Sequence, residues 1–291
     1  MDDSGALPIE LLAADGVRLA GRFWPAPDAR LGYAVVHGFT GSSRRREVEA
    51  ICTRLVGRGA GVVALDLRGH GASDGHSGLG AVEDLDLAAA VAFLRSAGYA
   101  RVATAGWSMG GSVVVRHAAL HRAVHGEEDH SDRRSVDAVV TVSGPGLWYE
   151  RGTTHMRRVH FGAETRFGHW LLAAAYRTRL DSGWHEAPEA PVELAGRIPP
   201  TPLLVVHGNR DRYFPVRHAE ALAAAADTAE LWVEDGMGHA EGATSPELVD
   251  RIDDWVRRAV DAVGPPDHAI LGRATRPDIA QSVGPGQGVT P

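Results

Sequence analysis

Gly106-Trp107-Ser108-Met109-Gly110 sets a serine between two glycines in the pattern G-x-S-x-G. In a chain with 35 glycines the pattern alone is weak, and a serine that merely opens a helix is the ordinary alternative. Its surroundings strengthen it. An apolar run, Val102–Ala105, leads into it, and a helical pattern from Gly111 to Arg122 follows directly. A serine at so sharp a strand-to-helix turn takes a strained backbone, and bulky residues two positions away would clash, which accounts for glycine on both sides. The turn lifts the hydroxyl above the strand ends and sets it at the positive end of the next helix.

A serine hydroxyl is a poor nucleophile until a base takes its proton. His239 suits that role, in Asp235-Gly236-Met237-Gly238-His239, a glycine-rich loop that can fold back over the serine. An acid must then orient the imidazole and stabilise its charged form. Asp211, in His207-Gly208-Asn209-Arg210-Asp211, follows the preceding strand candidate. Two other readings compete: Asp235 also lies near the base, and Arg210 or Arg212 could hold Asp211 in a surface ion pair. The order Ser108, Asp211, His239 leaves room for one helix and one strand between acid and base. A tetrahedral intermediate also needs two backbone N–H donors. Met109, after the serine, is one candidate. Phe39, in His37-Gly38-Phe39-Thr40-Gly41, is the other, its amide following a permissive glycine.

These groups need a rigid frame. Ile9–Leu12 and Val17–Phe23, separated by Asp15-Gly16, read as a β-hairpin. Further strands are expected at Tyr33–Val36, Gly61–Asp66, Arg101–Gly106, Asp137–Ser143, Pro202–His207 and Glu230–Glu234. Helices are expected at Arg44–Arg58, Ala81–Ala97, Met109–Arg122, Val216–Ala226 and Pro246–Val263. Continuous apolar strands alternating with helices predict an α/β fold with a mostly parallel sheet covered on both faces. Val124–Ser135 reads as a polar surface loop. The stretch Gly144–Pro200 interrupts the alternation, with one amphipathic helix expected around Glu164–Leu180. From Gly264 a Gly- and Pro-rich tail, 264–291, reads as disordered.

Composition removes several chemistries. At 291 residues and 44% hydrophobic the chain suits one domain, or one domain with an insertion. All 30 basic residues are arginine, which excludes a Walker lysine, a Schiff-base or pyridoxal lysine and a Ser-Lys dyad. A net charge of −7 argues against a nucleic-acid partner. The single cysteine, Cys52, reads as a small buried hydrophobe. No secretory leader and no membrane-spanning run is legible, so cytoplasmic residence is the default expectation. His117, His121 and His125 have a spacing that could bind metal, but no further ligands accompany them. A solvated helix face is the better account, and no metal or cofactor is expected.

Three segments together resemble the α/β-hydrolase superfamily across roughly residues 7–262: His37-Gly38-Phe39-Thr40-Gly41-Ser42, Asp66-Leu67-Arg68-Gly69-His70-Gly71-Ala72-Ser73 and Gly106-Trp107-Ser108-Met109-Gly110-Gly111. They are most similar to the serine-hydrolase branch containing monoacylglycerol lipases, lysophospholipases and serine aminopeptidase-like proteins. The resemblance implies an eight-stranded sheet with a small helical cap inserted after the sixth strand. The implied division is a core of 1–144 and 201–263 with a cap at 145–200. It also implies that Asp66–Ser73 is structural, so no catalytic role passes to Arg68 or His70. Epoxide hydrolases and haloalkane dehalogenases share the fold but carry Asp at the elbow, where this chain has Ser108. The expected activity is hydrolysis of a small-molecule carboxylic ester through an acyl-enzyme. A thioesterase, amidase, peptidase or acyltransferase on the same residues, or a binding protein without turnover, is the alternative.

Trp107, Trp148, Trp170 and Trp184 suggest an apolar acyl pocket, Trp107 with the alternative of packing in the core. Phe167, Trp170, Leu171 and Ala174 form one helical face expected to cover the site, so Trp148, Phe167 and Trp170 are the candidate substrate contacts. Six arginines (151, 157, 158, 166, 177, 179) against Glu150 and Glu164 make this insertion basic. It is either a solvated outer face or an attractor for an anionic group on the substrate.

Overall fold

The structure is a computed structural model, and it describes residues 5–121, 134–183 and 187–262. In chain order its elements are β1 Leu7–Leu12, β2 Arg18–Trp24, β3 Leu31–Val36, α1 Arg46–Gly57, β4 Gly61–Leu65, α2 Asp84–Ser96, β5 Arg101–Trp107, α3 Met109–Leu120 and β6 Ala138–Val142. After these come α4 Thr154–Glu164, α5 Arg166–Tyr176, α6 Pro191–Ala195, β7 Leu203–Gly208, α7 Arg217–Ala224, β8 Ala229–Glu234 and α8 Pro246–Ala262. The eight strands form one sheet in the order β1-β2-β4-β3-β5-β6-β7-β8. β1 pairs antiparallel with β2, and β2 with β4. Every other pairing is parallel.

The central strands are buried on both faces, which is why they read as unbroken apolar runs rather than alternating ones. Successive side chains nevertheless enter different cores. Ala34 and Val36 join Leu94, Val114 and Leu222 beneath α2, α3 and α7. Tyr33 and Val35 join Ile51, Leu55, Ile252 and Trp255 beneath α1 and α8, where Cys52 is also buried. The strand period of two thus sorts one sequence into two layers. α2 starts at Asp84, later than its apolar pattern, because the preceding loop is held by a buried carboxylate. Glu83 accepts the Ser77 hydroxyl at 2.6 Å and the Gly80 and Val82 amides at 2.9 and 3.2 Å.

The Asp66–Ser73 loop is likewise braced from within. Asp66 accepts the Ser43 amide (2.7 Å) and the Ala72 amide (2.9 Å), while Arg68 pairs with Asp86 and Asp15.

The insertion between β6 and β7 carries α5 within the helix expected around Glu164–Leu180 and adds α4 before it. It forms two helices, α4 and α5, broken at Thr165, whose backbone is extended. Thr153 and Thr165 cap them, their side-chain oxygens accepting the Met156 and Gly168 amides at 3.1 and 3.0 Å. The helices cross where a Cβ on Gly168 would collide with the Gly162 carbonyl. α6 belongs elsewhere: Leu194, Ala195 and Ile198 are packed in the core under α3 and α7. The expected 145–200 stretch thus holds α4 and α5 together with the core-packed α6. The expected tail 264–291, nearly all of the expected loop at Val124–Ser135, Trp184 and His125 lie outside the described residues. Within them, no helix is long and apolar enough to cross a membrane.

Candidate active site

Ser108 stands between β5 and α3 with φ 51° and ψ −119°, a conformation that L-residues avoid. Neighbouring backbone imposes it. The Ser108 amide donates to Val142 O at 2.9 Å, and its carbonyl accepts the Gly111 amide at 2.8 Å. A Cβ on Gly106 would strike the Gly110 carbonyl, and one on Gly110 would strike Val36 O, so the turn closes only with both glycines. Trp107 is buried, and its Nε1–H donates to Thr244 Oγ1 at 2.9 Å, tying the elbow to the loop that carries His239. This tryptophan belongs to the core rather than to a substrate pocket.

His239 reaches both expected partners. Its Nε2 lies 2.9 Å from Ser108 Oγ and its Nδ1 2.7 Å from Asp211 Oδ2. An ionised Asp211 can only accept, so Nδ1 carries the proton and Nε2 is left to accept from the serine hydroxyl. The Asp211 side chain is fully buried, and its other oxygen accepts the Tyr213 amide (2.7 Å) and the Phe214 amide (3.1 Å). Burial by itself would raise this carboxyl, but the hydrogen bond and charge of His239 and the two amides outweigh it and hold the pKa below the usual carboxylate value. The competing readings of Asp211 find no support. Asp235 instead accepts from Asn209 Nδ2 at 2.8 Å, on the exposed side of the loop.

Phe39 and Met109 both line the cavity in front of Ser108. Met109 opens α3, so its amide has no intrahelical acceptor. Gly38, whose carbonyl shares a peptide unit with the Phe39 N–H, is held by hydrogen bonds on both its N–H and its C=O. The cavity has a volume of about 860 Å³ and lies between the strand ends and the cap.

Of the expected substrate contacts, Trp148 lines this cavity, its Nε1–H donating to Pro188 O at 2.8 Å. Phe167 and Trp170 do not. They are 61% and 63% exposed and lie beside each other on the outer surface, the rings tilted by 30° with centroids 5.9 Å apart. α5 turns His169, Leu172 and Tyr176 inward instead. The face read as a cover is thus the outer face, because Gly168 and Leu172 are what α5 buries.

Three of the insertion's six arginines are held locally. Arg151 pairs with Glu164, Arg157 donates to the Arg151 and Gly152 carbonyls, and Arg179 donates to the Ser73 and Gly75 carbonyls. Arg158 is a cap arginine on the cavity wall. The histidines of α3 are also not a solvated face. His117 is fully buried and stacks on His121 at 4.9 Å, while His121 bonds Asp84 at 2.9 Å. Among the described residues no group of three or more His, Cys, Asp or Glu could hold a metal ion.

Three site residues escaped the sequence reading. Tyr213 stacks on the His239 ring at 4.3 Å, and its place two residues after Asp211 was the available signal. Glu241 faces the cavity and accepts the Gly38 amide at 2.6 Å. Glu150 holds the cap's root to α7 by accepting from His218 at 2.9 Å and from Arg217. Nothing in their local sequence distinguishes these two carboxylates from surface ones.

A sequence model of the alpha/beta hydrolase family matches residues 34–271. A comparison with curated sequences gives no match. Among solved structures, the Pyrococcus furiosus esterase Pf2001 is similar at 21% identity and a TM-score of 0.65, over 87% of this chain and 92% of that one. The alpha/beta hydrolase GrgF from Penicillium sp. sh18 is similar at 17% identity and TM-score 0.67, over 88% and 99%. Est1E from Butyrivibrio proteoclasticus, solved with ferulic acid bound, is similar at 19% identity and TM-score 0.57, over 86% and 99%. The family match runs from within β3 past the end of α8 and takes in most of the chain, which therefore belongs to the α/β-hydrolase family.

Proposed function

We propose that this protein is a serine hydrolase that cleaves carboxylic esters through an acyl-enzyme. The observation that carries the reading is the His239 ring, bonded to Ser108 Oγ on one side and to a buried Asp211 on the other. Ser108 Oγ attacks the ester carbonyl as its proton passes to His239 Nε2, and the carbonyl becomes an oxyanion facing the Phe39 and Met109 amides. Collapse of that intermediate breaks the ester C–O bond. The leaving oxygen takes the proton from His239 and departs as the alcohol. Water then repeats the sequence on the acyl-enzyme, releasing the acid and restoring Ser108.

Throughout, Asp211 keeps Nδ1 protonated and offsets the charge on the imidazolium. Trp148, Met156, Val159 and Leu172 give the cavity apolar walls, which suits an acyl chain. The Pyrococcus relative, named an esterase, favours an ester over an amide.

A fluorophosphonate probe should label the folded wild type at Ser108 and leave Ser108→Ala unlabelled. On a panel of p-nitrophenyl esters, glycerides, thioesters and aminoacyl amides, the esters should give the highest kcat/KM. Full esterase activity in Ser108→Ala would refute the assignment.

A further inference from the structure

Glu241 is a carboxylate in the candidate site that the proposed acyl transfer does not use. It follows His239 by two residues, and the residue between them is strained: Ala240, buried, has φ 54° and ψ −145°. Side chains from elsewhere hold that conformation. The Ala240 amide donates to Ser143 Oγ at 3.1 Å, and its carbonyl accepts the Thr244 hydroxyl at 3.0 Å. Thr244 in turn accepts from Trp107, the neighbour of Ser108. The consequence of the strained residue is that His239 and Glu241 both enter the site from one short segment.

What Glu241 meets there is the loop after β3. Its Oε1 accepts the Gly38 amide at 2.6 Å, a charge-assisted bond at the short end of the range. Gly38 O, on the peptide unit whose N–H belongs to Phe39, accepts from His37 Nδ1 at 2.8 Å and from the Gly41 amide at 3.0 Å. His37 Nε2 accepts the Leu67 amide at 3.1 Å, so the ring is neutral with its proton on Nδ1. Burial and the neighbouring His70 push its pKa down to about 4, which keeps it so. Two successive peptide units are therefore fixed, one through its carbonyl and the one before it through its N–H. A Cβ placed on Gly38 would lie 3.1 Å from Ser108 Cβ and 3.4 Å from Glu241 Oε1, so the clamp is at the serine itself.

We infer that Glu241 is a positioning residue for the proposed acyl transfer: it clamps the Gly38 peptide so that the Phe39 N–H is aimed at the oxyanion formed on Ser108. The same three residues, His239 to Glu241, then align the proton acceptor and the oxyanion loop against each other. Burial raises the Glu241 carboxyl above its usual value, with the Gly38 amide opposing that rise. A donor hydrogen bond at a half-buried carboxylate is the expected way to hold charge there.

The inference rests on the ester-hydrolase reading, and the test separates the two. In Glu241→Ala, kcat on a p-nitrophenyl ester should fall by roughly 10- to 100-fold, the cost of a misaligned reacting group, with KM little changed. Affinity for a trifluoromethyl ketone, which forms the tetrahedral adduct, should fall by the same factor. Glu241→Gln keeps a side-chain oxygen for the Gly38 amide and should restore most of kcat. Wild-type kcat in Glu241→Ala, or a rise in KM alone in both variants, would overturn the clamp. Wild-type protein that neither labels with fluorophosphonate nor turns over any ester would remove the ester-hydrolase reading instead. The clamp would then be decided by NMR, where the Gly38 amide proton should move upfield in Glu241→Ala. An unmoved resonance counts against it.

Discussion

Around Ser108 the molecule is tied together across long stretches of chain. The elbow donates to β6, Trp107 reaches Thr244, His239 reaches Asp211, and Glu241 reaches Gly38. The cap, α4 and α5, is built differently. Its two helices are capped by their own threonines and pack on each other at a pair of glycines. Gly168 and Leu172 are the residues of these helices that become buried, while Phe161, Phe167, Trp170 and Leu171 stay exposed. One region is over-determined by partners from several strand ends and loops; the other is a hairpin leaning on the cavity. A side chain in the first is fixed by many contacts, so its loss propagates. A side chain on the outer face of the second has little to lose.

The contrast should appear most strongly in rate. Asp211→Asn removes the acceptor that fixes the His239 tautomer and should lower kcat by about 10³- to 10⁴-fold, measured on an activated ester with folding checked by circular dichroism. A loss of only a few-fold would mean that Asp211 orients nothing. Substitutions in the β6–β7 insertion should be smaller and should divide by whether the side chain lines the cavity. Trp148→Ala should raise KM for a long-chain ester by about tenfold through lost apolar contact. Phe167→Ala and Trp170→Ala should leave kcat/KM for a short ester within about twofold, as expected of exposed positions. Equal sensitivity of Trp148 and Trp170 would mean that the cap closes differently over substrate.

The smallest effect is on stability against pH. Burial lowers the pKa of His37, His70, His117, His207 and His218 in the folded protein. Unfolded histidines take up protons near 6.5 while these do not, so the unfolded state binds more protons as pH falls. The stability they contribute is complete above about 6.5 and is lost toward lower pH, for His37 toward about 4. Asp86, raised by burial to about 6, and Glu241 act in the opposite direction, and they are outnumbered. Tm by calorimetry should therefore drop on the order of 5 °C between pH 7.5 and pH 5. A flat profile would show that the buried histidines are matched by the raised carboxyls.

Much of this architecture was legible because its rules are local or ordinal. Continuous apolar runs identified β3 to β7, the glycine pair marked the elbow, and the order Ser108, Asp211, His239 placed three partners after the ends of β5, β7 and β8. A parallel sheet delivers those ends to one edge whatever the intervening helices contain. Asp211 could be preferred to Asp235 only weakly from sequence, since both sit in loops at that edge. Distance separated them: one bonds His239, the other Asn209.

The cap shows where legibility ended. Amphipathicity identified the stripe Phe167, Trp170, Leu171 and Ala174 but not the direction it faces, because the spacing of apolar residues along a helix does not depend on what lies beside it. The break at Thr165 was equally hidden, for a threonine continues a helix or caps a new one with the same side chain. Glu241 acquires its role through Gly38, far away in the chain.

By itself, then, the sequence determined the α/β layering, the elbow and the order of the residues that meet there, since strand patterning and turn sterics are encoded over a few residues. Tertiary structure alone decided which face of α5 looks inward, which carboxylate touches His239, and that Glu241 holds Gly38. Those outcomes depend on contacts between distant segments, and no local pattern carries them.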